Sequence, residues 1–333
     1  MLSVADLHHR VVIRRIVAVH QGRPRFSDLL GELVDWSDDH AVVRTDSGAV
    51  VTVPRSRIAV GKRVPPRRPR LGEVFALERV AAEGWPAPDT RWLGQWLLRA
   101  AEGWTNRANS VLVLGDPGLP LPEAMAEVYR WYAERGLQPR FVLTHPGGAA
   151  LAAELRRLGW EQTHRVQVRT ASLAALQTAL QQASDRRTPH QEVGDVEVRV
   201  ASQPSPAWLR IAAGAKGELP PAALAVLTGP SKVGFLSVTT ATGEVLGIVR
   251  AVVTAEWVGV SLLEVIPEVR RRGLGRSLMG AAAQWGAERG AQRVYLQVEE
   301  TNHAAIQLYA GLGLTIHHEY TIHRPPPQPD RVG

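Results

Sequence analysis

No cysteine occurs anywhere in the 333 residues. That excludes disulfides, cysteine–zinc sites and a cysteine nucleophile. Also missing is any run of about 18 apolar residues, the minimum for a membrane-spanning helix. The start of the chain shows no basic stretch leading into an apolar one, the mark of a secretory signal. A soluble, cytoplasmic protein with no membrane partner is therefore expected. Lysine is scarce as well: of 39 Lys+Arg, only Lys62, Lys216 and Lys232 are lysines. The formal net charge of +7 permits contact with nucleic acid or an anionic ligand without requiring either. The 11 histidines are scattered. The pairs His8–His9 and His317–His318 should point to opposite sides of a strand, so no metal site is expected.

With 45% hydrophobic residues the chain can bury a sizeable core, and its length suits two or three domains. One stretch carries a chemical signal. The apolar run Val258 to Ile266 reads as a strand, and Pro267 stops it because proline cannot donate to a sheet ladder. Arg270 to Gly275 spells R-x-x-G-x-G, and Leu274, Leu278, Ala281, Ala282 and Trp285 follow at helical spacing. A strand, a glycine-containing turn and a helix start aim several backbone N–H groups at one point. Such a point binds phosphate. Arg270, Arg271, Arg272 and Arg276 add positive charge around it.

A second motif lies downstream. Arg293 to Gln297 reads as a strand, Thr301 to Tyr309 as a short helix, Gly311-Leu312-Gly313-Leu314 as its end, and Ile316 to Ile322 as a last strand. Together, V-x-P-x-x-R-R-R-G-L-G and L-Q-V-E-x-x-N-x-x-A-x-x-L-Y-x-x-L-G-L resemble the GNAT family of acyl-CoA-dependent N-acyltransferases, over roughly Val196 to Arg324. The resemblance implies acetyl-CoA as co-substrate and an amine of a protein or small molecule as acceptor. It places the pyrophosphate on the backbone of Arg271 to Arg276, and the pantetheine on the strand edge from Leu263 to Val265 and on Asn302. The cofactor-binding set it implies is thus Leu263, Val265, Arg270, Arg271, Arg272, Gly273, Leu274, Gly275, Arg276 and Asn302. Tyr309 matches the family's general acid, which protonates the departing thiolate. Where some relatives carry a glutamate base, this chain has Gln297, which cannot act as one. Glu264 ranks first as the base in its stead, ahead of Glu299, Glu300, His317 and His318.

The remaining chain reads as follows. Residues 1–62 hold short strands, with a hairpin turn at Asp46-Ser47-Gly48, and suggest a small SH3-like β-barrel. Residues 63–71 are a basic Pro/Arg linker. Residues 72–183 repeat the order of elements of the C-terminal half: Leu151 to Trp160 parallels Ala305 to Leu314, both ending in Leu-Gly-apolar. In this first half Gly115-Asp116-Pro117-Gly118 stands for R-x-x-G-x-G, and Leu155 for Tyr309, so it should not bind acyl-CoA. Residues 184–194 form a polar linker, 195–324 the acyltransferase half, and 325–333 a disordered tail. The fold class expected is α/β with a mixed sheet: a tandem GNAT-like acyltransferase fold preceded by a small β-barrel, as monomer or homodimer. The rival class is a non-catalytic acyl-CoA sensor, or a module docking on nucleic acid or protein.

Overall fold

The computed structural model describes residues 2–45, 49–65, 67–185 and 196–326. The Asp46-Ser47-Gly48 turn, positions 186–194 of the expected linker and positions 327–333 of the expected tail lie outside the described residues. The chain forms two units, Met1–Arg68 and Pro69–Gly333.

The first unit is an antiparallel sheet of β1 (Arg10–His20), β2 (Arg23–Trp36), β3 (His40–Thr45), β4 (Val50–Pro54) and β5 (Ile58–Arg63), in the order β4-β3-β2-β1-β5. Alternation turns Val11, Ile13, Leu29, Leu33, Ala41, Val43 and Val53 into one small core. β2 crosses β3 so closely at Gly31 that a Cβ there would lie 2.1 Å from the Arg44 carbonyl oxygen.

The second unit begins with α1 (Leu71–Gly84), β6 (Asp89–Leu93), β7 (Trp96–Ala100), β8 (Val111–Val113) and α2 (Leu121–Ala133). It continues with β9 (Phe141–His145), α3 (Ala149–Arg157), β10 (Glu161–Ser172) and α4 (Leu173–Asp185). The C-terminal half contains β11 (Val196–Ala201), α5 (Pro206–Lys216), α6 (Pro221–Thr228), β12 (Val233–Thr240), β13 (Val245–Thr254) and β14 (Trp257–Val265). It ends with α7 (Leu274–Ala287), β15 (Arg293–Glu299), α8 (His303–Gly311) and β16 (Thr315–Arg324). Two elements of this unit escaped the sequence reading. β6 is exposed and carries no apolar alternation. α4 follows β10 without a break and packs on α7, where Leu180 Cδ1 lies 3.5 Å from the Cβ that Gly280 lacks.

All strands of the second unit join one 11-stranded sheet, in the order β11-β12-β13-β14-β15-β10-β16-β9-β8-β7-β6. The pairs β8–β9 and β14–β15 are parallel, as the repeat predicts. The halves do not close separately. β10, the last strand of the first half, pairs with β15 on one side and β16 on the other, while β16 goes on to pair with β9. Each half is completed by the other's final strand. On one face, α7, α8 and α4 cover Val258, Val260, Val294, Leu296 and Val298. On the opposite face, α1 covers Trp257, Tyr295, Val166, Val168, Tyr320 and Ile322.

One buried cation bolts helices to this sheet. Arg250 on β13 is 1% exposed. Its Nε donates to the Leu227 carbonyl at 2.8 Å, Nη2 to Val226 at 3.2 Å and Nη1 to Gly84 at 2.9 Å. These are the last turns of α6 and α1, whose partial negative charge favours a cation. Burial pushes the guanidinium down to about 9, still protonated at neutral pH. Arg250→Met leaves these carbonyls unpaired and should destabilise the fold by about 3 kcal/mol or more. Urea unfolding of the two proteins checks this, and an unchanged midpoint would contradict it.

Candidate active site at a split between two strands

β14 and β15 run parallel and paired only from Trp257↔Arg293 to Val260↔Leu296. Beyond that point β14 turns away. The cause is a β-bulge: Glu264 stays opposite Ile248 and Ser261 opposite Arg250, so Leu262 and Leu263 together face the single residue Val249. Leu262 holds the left-handed φ of 52° that the extra residue demands. β14 continues to pair with β13 as far as Val265, and β15 with β10 as far as Glu299. The edges that face each other across the split, Ser261–Val265 and Gln297–Glu299, are left without a strand between them. An extended amide-bearing chain fits such an edge, since it can pair with it as a strand would.

The turn that follows points its donors at the mouth of this split. Arg271 has φ 65°, and Gly273, at φ 88°, precedes the first turn of α7. Arg276 and Ser277 N–H bond back to the Gly273 carbonyl. The earlier N–H groups of Leu274 and Gly275 have no preceding turn to donate to. Arg270 Nε donates to the Val265 carbonyl at 2.9 Å, tying the turn to the end of β14. The side chains of Arg270, Arg271, Arg272 and Arg276 are exposed around it. A Cβ on Gly275 would sit 3.2 Å from Leu308 Cδ2 and 3.7 Å from Leu263 Cδ2. Turn, strand edge and α8 therefore converge at this glycine.

In the first half the corresponding loop is closed on itself. Gly118 N–H donates to Asp116 Oδ1 at 2.6 Å and Asp116 N–H to Gln95 Oε1 at 3.0 Å. Gln95 N–H in turn takes the Asp116 carbonyl. Its donors are spent on its own residues, so no anion cradle forms there. Leu155 is fully buried.

Tyr309 on α8 is 8% exposed and packs with the residues of the β14 edge, Leu263 and Val265 among them. Burial, and secondarily the Glu264 carboxylate, push its hydroxyl up to about 12. It is fully protonated at neutral pH and available as a donor. Glu264 is half-buried; burial raises it above the usual carboxylate range, against the pull of Lys216 and Arg270. Asn302 caps α8, its side-chain oxygen accepting from Ala305 N–H at 3.1 Å, and this leaves the amide donors for another partner. Glu300 points to the surface and pairs with Arg165 at 3.5 Å; Glu299 is also exposed.

Gln297 holds a place that sequence reasoning only half saw. Its Oε1 accepts from the Tyr320 hydroxyl at 3.2 Å and its Nε2 donates to Glu78 Oε1 at 3.4 Å. Glu78 comes from α1 of the first half and is 3% exposed. It escaped notice, yet Val74, Leu77, Glu78 and Ala81 form one helical stripe in which it is the lone polar member. The histidine pair also corrects the expectation. His317 Nδ1 and His318 Nδ1 lie 2.8 Å apart on one face of the sheet. β16 carries a register shift where Val168↔His318 gives way to Arg169↔Ile316, and the extra residue breaks the strand alternation. Among the described residues no group of histidine, aspartate and glutamate is suited to hold a metal ion. No helix among them is long and apolar enough to cross a membrane.

Comparison with known proteins converges on one family. A family model described as "Probable histone acetyltransferase Rv0428c C-terminal" matches residues 72–323. The probable histone acetyltransferase Rv0428c of Mycobacterium tuberculosis is 30% identical over 306 residues, 89% of this chain and 88% of that protein. The uncharacterized N-acetyltransferase YobR of Bacillus subtilis is 27% identical over 261 residues, 76% of this chain and 100% of its own. A solved GCN5-related N-acetyltransferase from Kribbella flavida superposes with a TM-score of 0.57 at 16% identity, covering 76% of this chain and 96% of that one. A tandem GNAT protein from the clavulanic acid biosynthesis pathway gives 0.50 at 15% identity, over 80% and 91%. These two structural likenesses speak for the fold.

The Tyr309 hydroxyl has no hydrogen-bond partner among the described residues, so removing it should cost the fold little. Tyr309→Phe is expected to keep its stability within about 0.5 kcal/mol of wild type in thermal unfolding. A larger loss would show that the hydroxyl is part of the core's bonding.

Proposed function

Because the chain belongs to the Rv0428c C-terminal family and is a GNAT-superfamily N-acetyltransferase, we propose that it moves the acetyl group of acetyl-CoA to an amine of a protein or small molecule by direct attack on the thioester. The observation that carries this reading is the bulged, split strand pair that ends in an arginine-lined turn of free helix-start donors. The N–H groups of Gly273, Leu274 and Gly275, with Arg270, Arg271, Arg272 and Arg276 around them, suit a pyrophosphate. The edge Leu263–Val265 and the Asn302 amide suit the two amides of a pantetheine arm. A backbone donor of the same edge polarises the thioester carbonyl, where charge develops as the amine attacks.

Tyr309 serves as the general acid. Its hydroxyl, beside the β14 edge, donates to the sulfur as the C–S bond breaks, and water restores the phenol. The residues that select the amine come from both halves, since α5 and α6 share a core with Leu262 of β14 and α1 carries Glu78 to Gln297 of β15. The first unit supports an SH3-like assignment through its strand order and small core, and we assign it a packing or docking role rather than catalysis.

Calorimetric titration with acetyl-CoA tests the reading directly. Micromolar binding is expected, and Gly273→Asp should abolish it by placing a side chain at positive φ and a negative charge in the cradle. Tyr309→Phe should bind normally yet release CoA about 100-fold more slowly or worse. A thiol-reactive dye reads that release without background, because the chain has no thiol of its own. A wild type that ignores acetyl-CoA and longer acyl-CoAs would sink the proposal.

A further inference from the structure

Amine acetylation creates a proton problem. An alkylammonium (pKa about 10) must lose a proton before it can attack. It loses a second as the amide forms; the thiolate takes one, and the balance RNH3+ plus thioester to amide plus thiol leaves one proton over. Gln297 cannot receive it.

A buried polar chain begins at that same residue. Gln297 Nε2 donates to Glu78 Oε1 at 3.4 Å, and the Tyr320 hydroxyl fixes the amide so that its donor faces the carboxylate. His318 Nε2 bonds the same Glu78 oxygen at 2.9 Å, and His318 Nδ1 lies 2.8 Å from His317 Nδ1. A carboxylate only accepts, so His318 Nε2 carries a hydrogen. In the neutral ring its Nδ1 then accepts from His317 Nδ1–H, and His317 Nε2 is left basic. Glu78 and His318 are buried, while His317 is half-buried. The chain thus runs from the split outward. Ser261, where β14 leaves β15, keeps a buried hydroxyl without a partner.

The pairing also explains the glutamine. A carboxylate at position 297 would lie within hydrogen-bond distance of the Glu78 carboxylate, and two like charges that close cannot both ionise. The carboxylate is present, but it stands on α1 of the opposite half rather than on β15.

We propose that Glu78 accepts the proton shed by the acceptor amine, through one bridging water at the split, and that His318, itself held by His317, positions the carboxylate to do so; this rests on the acetyl-transfer reading above. As the amine nitrogen bonds the carbonyl carbon and the C–S bond breaks, the N–H proton moves to the Glu78 carboxylate. Oε1 is held by the Gln297 and His318 donors, so the proton settles on Oε2 and leaves through the same water once the product has departed. Burial, the neighbouring His318 and Arg293 push His317 down to about 4, so it stays neutral at working pH and keeps donating to His318. The groups facing Glu78 are His317, His318 and Tyr320 of β16, Gln297 and Tyr295 of β15 and Arg99 of β7, and Arg107 of the β7–β8 loop acts on Tyr295, Tyr320 and Arg99 among these. Its own helix adds Glu73, which also acts on His317.

The test compares Glu78→Gln, Gln297→Glu and the double variant with wild type, reading CoA release from acetyl-CoA to ethanolamine, spermidine and a lysine peptide across pH. Calorimetry with acetyl-CoA and thermal unfolding run alongside. Glu78→Gln should bind acetyl-CoA as wild type does but release CoA about 100-fold more slowly. The double variant, which returns a carboxylate across the same hydrogen bond, should recover most of that rate. Gln297→Glu alone should move the acidic limb of the profile to higher pH, because the paired carboxylates share a proton. Wild-type rates with an unchanged pH profile in Glu78→Gln overturn the proposal. So does a double variant that regains melting temperature but not rate, the signature of a packing role. Failure of wild type to bind acetyl-CoA overturns the underlying reading and this one with it. If wild type binds acetyl-CoA but releases CoA to none of the probes, nitrogen NMR of the imidazoles decides. A His318 titration unaffected by acetyl-CoA or by Glu78→Gln overturns the assignment, and one that responds to both upholds it.

Discussion

The insertion of β10 between β15 and β16 is the constraint on which the rest of the second unit depends. A split between two strands normally closes, because unpaired backbone groups seek each other. Here both strands are held from outside. β10 pairs with β15 along its whole length, from Ser172↔Arg293 to Val166↔Glu299, and β13 holds β14 beyond the bulge. The Leu262 bulge bends β14 away, and β15 cannot follow without breaking its ladder to β10. The gap is a product of the strand exchange as much as of the bulge. Neither half could hold it open alone, since β15 without β10 would be an open edge.

The same exchange divides labour between two copies of one plan. In the C-terminal copy the turn after the parallel strand spends little of its bonding capacity on itself, and its arginines stand in solvent. In the first copy Asp116 and Gln95 absorb the turn's donors and Leu155 fills the place of the tyrosine. What the first copy retains is shape. Its α1 lies across the joint sheet and carries Glu78 to β15 and β16 of the other copy. A residue lost from one copy's strand is supplied by the other's helix, which only a shared sheet allows.

Much of this was legible in the sequence because it is local. The Arg270–Gly275 turn, the Asn302–Tyr309 helix and the repeat of Leu-Gly-apolar endings each depend on residues within one or two turns of chain. The strand exchange was not legible, because β10 and β16 alternate equally well beside any neighbour and pairing partners leave no local mark. The histidine pair was misread for a related reason: a bulge shifts side-chain alternation without altering composition. Glu78 sat on an otherwise apolar stripe of α1, and only its partners, 219 and 240 residues away, give that position meaning.

Charge counted from a sequence also differs from charge presented. Several of the many arginines are internal hardware. Arg99 is 2% exposed, donates to the Ser110 carbonyl at 3.1 Å and hydroxyl at 2.8 Å, and is pushed down to about 10 by burial. Arg250 joins two helix ends to β13, and Arg169 reaches the Leu314 carbonyl at 3.0 Å. These places use several donors of one rigid plane at once, which a lysine ammonium on a flexible stem would not satisfy. The cations that remain exposed at a built site are the four of the α7 turn. Those four stand where helix-start donors already favour an anion, which argues for a phosphate-bearing ligand of defined position at that turn.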